Sequence, residues 1–385
     1  MGEFMKMSPM INNISNSERF KKAFSPVEDK SAINLQSGDP DFKTPKHICD
    51  AATRAMADGF THYCPGLGDK TLRESICNSL FADYNVSKSP SEILVTNGGA
   101  QAIFLIAASL LSPNDEAIVF DPSYSLYAMA IQATGASPIY VPLSDNFHFE
   151  KDKFSKMVTS RTRGIFLNTP NTPTATVFSH DDIEFIGWLA RKYDLFIVSD
   201  EVYHKILYDG RKHVSILSLK GLQDRVILIN SLSKTYAMTG WRLGYIVGDA
   251  FLIKQTLPLH RAMIGSVNTI SQKAGIEALQ GQQNCVESMV REYDSRRKMM
   301  CELINEIPGL HCDMPEGAFY VFFRFNHKLS SEEMAEYFLK KGVAVRSGSE
   351  FGTKGEKHIR LTFAVEPSMI KEGVRRIKKA LEDLA

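Results

Sequence analysis

Five short apolar runs recur along the chain, and each ends on a polar turn. Ile93-Leu94-Val95-Thr96-Asn97 runs into Gly98-Gly99, Ala117-Ile118-Val119-Phe120 into Asp121-Pro122, Ile165-Phe166-Leu167 into Asn168, Phe196-Ile197-Val198-Ser199 into Asp200, and Val226-Ile227-Leu228-Ile229-Asn230 into Ser231-Leu232-Ser233. Runs this short, apolar at successive positions and rich in β-branched residues, predict strands buried on both faces. Pro138 to Leu143 and Leu243 to Val247 add two more. Between strands the period changes to 3.6: Asp181 to Lys192 puts Ile183, Ile186, Leu189 and Ala190 on one face of a crossover helix. Strand and helix patterns alternate from about Pro45 to about Gln280. The expected fold class is therefore α/β, a mostly parallel seven-stranded sheet with helices on both faces.

The pattern changes after that. From about Val286 a long charged helix leads to a strand at Gly317-Ala318-Phe319-Tyr320-Val321-Phe322, and a helix follows near Glu332 to Lys341. Val343 to Arg346 and His358 to Phe363 read as strands, and a closing helix starts at Pro367. This predicts a large domain over 46–285 and a smaller α+β domain built from 10–45, including Ile33-Asn34-Leu35, together with 286–385. With no repeat or low-complexity linker, the two should pack together. Met1-Gly2-Glu3-Phe4-Met5 reads as an added leader, so residues 1–9 are expected to be a tag or an unstructured start, with native numbering from Met5, Met7 or Met10.

Composition narrows the class of function. A chain of 385 residues with 44% hydrophobic and 23% charged residues can bury a large core. A net charge of +1 without a strong basic run gives no footprint for nucleic acid or a membrane surface. No apolar stretch reaches membrane-spanning length, and the polar start lacks the apolar core of a signal peptide. The six cysteines are scattered without a Cys-x-x-Cys pair, which reads as reduced thiols in a cytoplasmic protein. His47 and Cys49 alone do not make a metal site, so no metal is expected. A small-molecule metabolic enzyme is the remaining class.

In open α/β sheets ligands bind beyond the carboxyl ends of the strands, so the five polar turns should converge on one site. The turn leaving the fifth run carries the chemistry, in Ser231-Leu232-Ser233-Lys234-Thr235-Tyr236-Ala237-Met238-Thr239-Gly240-Trp241-Arg242-Leu243-Gly244. A lysine at a strand end can form a Schiff base with an aldehyde, and two serines and an arginine are the donors a phosphate needs. Pyridoxal phosphate satisfies both demands. A solvated lysine is the plain alternative, and Gly98-Gly99 by itself would be an ordinary turn.

Taken together, these motifs resemble the class I, fold-type I pyridoxal-phosphate aminotransferases of the aspartate aminotransferase superfamily. The likeness runs from Gly38-Asp39-Pro40-Asp41-Phe42 to Arg360-Leu361-Thr362-Phe363-Ala364. It implies that Lys234 carries the cofactor and then shuttles the α-proton, and that Asp200 faces the pyridine nitrogen and keeps it protonated, although a strand-end aspartate can also be a helix cap. Tyr203 would hydrogen-bond the ring oxygen. The phosphate would be held by the Gly99 and Ala100 amides at a helix start, with Ser231, Ser233 and Arg242. Tyr124 would stack on the ring or else serve as core. Arg360 would hold the substrate α-carboxylate bidentately, with Gly38 lying close over the substrate. Tyr63 would reach the phosphate of a neighbouring subunit, which implies a homodimer with shared active sites.

Two positions depart from the family pattern. In Asn168-Thr169-Pro170-Asn171-Thr172-Pro173-Thr174-Ala175, Thr172 stands where the family has an asparagine that bonds the ring oxygen, and Ala175 where it has a glycine. Thr172 is expected to contact both cofactor and substrate with fewer donors than an amide. Ala100 occupies the position of a lysine that, in some aspartate-specific members, pairs with the distal carboxylate. The expected reaction is thus transfer of an amino group from an L-amino acid, neutral or basic rather than acidic, to a 2-oxo acid, unless an arginine elsewhere or in the partner chain supplies the cation. The alternative on the same cofactor is elimination, cyclisation or oxidation of an amino acid, which Thr172 raises. A binding protein without catalysis would not need lysine, aspartate, tyrosine and both arginines together.

Overall fold

The computed structural model describes residues 7–15 and 31–384. The expected leader is thus described only from residue 7, and most of the segment Ile11 to Lys30, expected near the site entrance, lies outside the described residues. The strands in chain order are β1 (Ile33–Asn34), β2 (Ile93–Thr96), β3 (Glu116–Asp121), β4 (Ser137–Pro142), β5 (Thr162–Asn168), β6 (Phe196–Asp200), β7 (Val226–Ser231), β8 (Gly244–Val247), β9 (Leu310–His311), β10 (Tyr320–Phe325), β11 (Val343–Ala344), β12 (Arg346–Ser347) and β13 (His358–Thr362).

Seven of them form one sheet in the order β2-β8-β7-β6-β5-β3-β4. All are parallel except β8, which runs antiparallel to both neighbours. Alternate residues enter two separate apolar layers: Ile118, Phe120, Ile165, Leu167, Ile197 and Leu228 on one side, Ala117, Val119, Phe166, Val198, Ile227 and Ile229 on the other. Burial on both faces is why the runs are continuously apolar. The crossover helix His180–Tyr193 is held by a capping box between Ser179 and Asp182 and ends on Asp194 in the left-handed region.

Gly244 sets how closely β8 passes the turn after β2. A Cβ on Gly244 would lie 2.8 Å from the Gly98 carbonyl carbon and 2.9 Å from the Gly99 nitrogen. Only a bare backbone lets β8 pass this close to the turn that opens the helix Gly98–Leu110.

Outside this sheet, β1 pairs in parallel with β11, and β12-β13-β10-β9 form an antiparallel sheet. Two strand limits differ from the sequence reading. The run from Gly317 begins its strand only at Tyr320, because Ala318 sits at φ +54°. The run Val343 to Arg346 breaks at Val345, since β11 pairs with β1 while Arg346 pairs with β13. The helix Pro9–Ser15 packs against the helix Ser125–Ala133 of the large sheet's flank. Among the described residues no helix is long and apolar enough to cross a membrane.

Candidate active site

The carboxyl ends of β2, β3, β5, β6 and β7 open onto one cavity of about 440 Å³. Gly99, Tyr124, Asn168, Asp200 and Lys234, one from each polar turn, line it. The fourth wall comes from Gly38, Tyr320, Arg346 and Arg360.

Lys234 follows β7 on the one-turn helix Leu232–Thr235, whose N-cap Ser231 accepts a bond from the Ser233 amide at 3.0 Å. Its Nζ donates to the Gly38 carbonyl at 2.5 Å. Burial lowers its pKa from 10.5 to about 8, and the Arg360 and Arg242 charges add to this while Asp39 opposes it. The consequence is a larger share of neutral amine near physiological pH, the form that attacks a carbonyl.

Asp200 ends β6 with its carboxyl buried. Burial pushes it up to about 6, against hydrogen bonds from the Tyr127 hydroxyl at 2.8 Å and the Val202 amide at 3.3 Å. A cationic ring nitrogen beside this carboxyl would restore its charge, and the charge would in turn favour the protonated ring. Tyr203 shares a 2.8 Å hydrogen bond with Tyr320, and burial drives the Tyr203 phenol well above its ordinary value. Thr172 donates its amide to Asn168 Oδ1 at 2.8 Å, and its buried hydroxyl faces the Tyr203 phenol, whose ionised form it favours.

A donor cluster lies at the opposite end. Gly98 takes φ +79°, and a Cβ there would lie 2.7 Å from Arg242 Nη2, so the turn and the guanidinium are packed against each other. The helix Gly98–Leu110 starts on Asn97 without a side-chain cap, leaving its first amides to an anion. Ser231 and Ser233 hydroxyls, 2.7 Å apart, complete the set. Tyr124 precedes the helix Ser125–Ala133 and meets Tyr127 edge-to-face at 5.7 Å. Arg360, on β13, stacks its guanidinium over Tyr320 at 4.3 Å and Phe351 at 4.9 Å and donates to the Gln36 carbonyl at 2.7 Å.

Every expected site residue lines this cavity except Tyr63, whose side chain is 95% exposed beside His62 and Val267. The sequence reading missed Tyr127, Tyr320, Arg346 and Glu350. Tyr127 falls one helical turn after Tyr124, a spacing that could have exposed it. Arg346 and Glu350 lie on short segments whose pairing is not readable from periodicity.

A strand-end lysine, a buried aspartate and an anion cradle in one crevice define a Schiff-base enzyme by chemistry, and comparison with known proteins places it. The chain belongs to the class I and II aminotransferases, whose family pattern matches residues 30–377. These are pyridoxal-phosphate enzymes. It is 37% identical over 371 residues, 95% of this chain and 94% of that protein, to an aspartate aminotransferase of Pyrococcus horikoshii. It is 36% identical over 387 residues to aromatic-amino-acid aminotransferase 2 of Thermococcus litoralis, covering 98% of this chain and 99% of that one. A solved aromatic aminotransferase from Pyrococcus horikoshii superposes with a TM-score of 0.89 at 36% identity, over 92% of this chain and 97% of that one. The residues present fit the cofactor: the Gly98 turn, Ser231, Ser233 and Arg242 would take its phosphate, Asp200 its ring nitrogen, and Lys234 its aldehyde. Thr172 and Tyr203, side by side in the cavity wall, would face its ring oxygen.

Proposed function

We propose that this aminotransferase passes the α-amino group of an L-amino acid to a 2-oxo acid in the cavity at the strand ends, with Lys234 as the base. The observation that carries the reading is the meeting of the Lys234 amine, the Asp200 carboxyl and the Arg360 guanidinium in one cavity. Pyridoxal phosphate, when bound, supplies an aldehyde for the substrate amine and a ring that accepts the electron pair left at Cα. The chain does the rest. Arg360 fixes the α-carboxylate and so sets which bond at Cα faces the ring. Lys234, neutral once displaced, takes the α-proton and returns it to the cofactor side. Asp200, held by Tyr127, would supply the negative charge that favours a protonated ring nitrogen.

For substrate range, relatives named for aspartate support a dicarboxylic substrate, against the expected preference, and one named for aromatic amino acids supports an uncharged aromatic one. The high exposure of Tyr63 supports a homodimer in which this tyrosine serves the partner's site. Free cysteines throughout the described residues support a cytoplasmic setting.

Threonine at position 172, with one donor where the family has an amide, supports a second reading, in which the intermediate is diverted to elimination, cyclisation or oxidation. One experiment separates the two. Mix the purified holoenzyme with each common amino acid, follow the cofactor spectrum, and assay oxo acid, ammonia and peroxide. Stoichiometric oxo acid with conversion to the pyridoxamine form is expected. Ammonia or peroxide without that conversion would overturn transamination in favour of the second reading.

A further inference from the structure

The cavity holds one guanidinium that neither the phosphate nor the α-carboxylate uses. Arg346 lies directly opposite Arg360 in the antiparallel β12–β13 register. Directly opposite residues project to the same face with Cβ atoms about 4.5–5.5 Å apart, and like charges so placed destabilise a sheet. Both side chains line the cavity. The repulsion is offset by Glu350, on the turn Gly348–Phe351, whose Oε2 lies 3.2 Å from Arg346 Nη1 with both side chains largely buried, 16% and 13% exposed. The contact is a hydrogen bond. Burial penalises both charges, lowering the Arg346 pKa and raising that of Glu350.

We propose that Arg346 is the specificity residue for dicarboxylic substrates: its guanidinium takes the side-chain carboxylate of a four- or five-carbon dicarboxylic amino acid or 2-oxo acid whose α-carboxylate lies on Arg360. The inference rests on the aminotransferase reading above. Two guanidiniums one strand apart match two carboxylates at the ends of a short chain, and Ala100 leaves no cation at the helix start to compete. Glu350 is the exchangeable partner. With a diacid bound, the substrate carboxylate replaces it on Arg346, and Glu350, whose pKa burial already raises, takes up a proton instead of remaining a buried unpaired charge. With an aromatic side chain bound, Glu350 keeps Arg346 paired, so the uncharged group enters without leaving a buried unpaired charge. One cavity thereby serves both substrate classes.

The test compares Arg346→Gln and Glu350→Gln holoenzymes with the parent, using aspartate, glutamate, phenylalanine and arginine. Loss of a charge-assisted bond predicts that Arg346→Gln lowers the ratio of kcat/KM for diacids over phenylalanine on the order of 10- to 100-fold. The calorimetric Kd for succinate should rise in step relative to that for 3-phenylpropanoate. Glu350→Gln should move both ratios the other way, and decides alone if Arg346→Gln does not fold. Equal losses for both substrate classes, or a selective loss of arginine turnover in Glu350→Gln, would overturn the proposal while leaving transamination intact. Failure of the parent enzyme to convert any amino acid would instead strike the functional reading, and the succinate Kd would still judge Arg346.

Discussion

Gly38→Ala tests how tightly the substrate wall is built. A Cβ at this position would lie 2.1 Å from the Tyr320 hydroxyl, where ordinary contact begins at 3.4 Å, so the hydroxyl must retreat by about 1.3 Å. That hydroxyl is hydrogen-bonded to Tyr203, and its ring lies under the Arg360 guanidinium at 4.3 Å. Retreat therefore breaks the Tyr203 bond or displaces Arg360. Overpacking of this kind costs about 1–3 kcal/mol, and the lost hydrogen bond about 1 kcal/mol more. If half of that falls on the substrate-binding geometry, KM for every amino acid rises on the order of 10-fold. The assay is steady-state kinetics with a Tm by scanning calorimetry, repeated in a Tyr320→Phe background. Phenylalanine removes the clashing oxygen and leaves the ring carbon 3.3 Å from the new Cβ, a contact the ring can relieve by a few tenths of an ångström. Gly38→Ala should consequently cost markedly less in that background. An equal penalty in both backgrounds, or no penalty in either, would refute the steric argument.

The remaining predictions address charge and the departures from the family pattern. Arg242→Ala should weaken retention of the cofactor by about 1.5–3 kcal/mol, read by dialysis and absorbance. Arg360→Ala should retain the cofactor and raise KM; the reverse pattern would show the two arginines wrongly assigned. Because Lys234 loses its proton at about 8 instead of 10.5, covalent uptake of cofactor by the apo protein should speed up as pH rises and level off above about 8, followed by stopped-flow absorbance. A rate still climbing toward pH 10 would contradict the lowered value. Thr172→Asn should keep or raise transamination, since an amide supplies two donors where the hydroxyl supplies one; a loss of activity accompanied by loss of ammonia or peroxide release would favour the diverted reaction.

Six of the seven strands were legible because each is buried on both faces and so reads as an apolar run, whereas the edge strand β4 is only half-buried. Strand direction was not legible. Gly244 to Val247 has the same composition whichever way it runs, and it lies antiparallel to both neighbours. At the site, residues that leave strand ends, such as Asp200 and Lys234, follow from topology alone. Tyr320 and Arg346 do not, because their places depend on the register of short strands, β12 having only two residues. Alternation in so short a segment cannot fix which side chain faces the cavity. Tyr63 has a residue pattern but is almost fully exposed, so its role is an inference about assembly.

Borohydride reduction of the holoenzyme, followed by peptide mapping, bears most directly on the central claim. The cofactor belongs on the one lysine among the described residues that combines burial, a lowered pKa and a position beside Asp200 and the serine–arginine cradle. The prediction is a single pyridoxyl-labelled peptide, with the label on Lys234 and lost in Lys234→Ala. A label on any other lysine, or a holoenzyme spectrum that borohydride leaves unchanged, would contradict it.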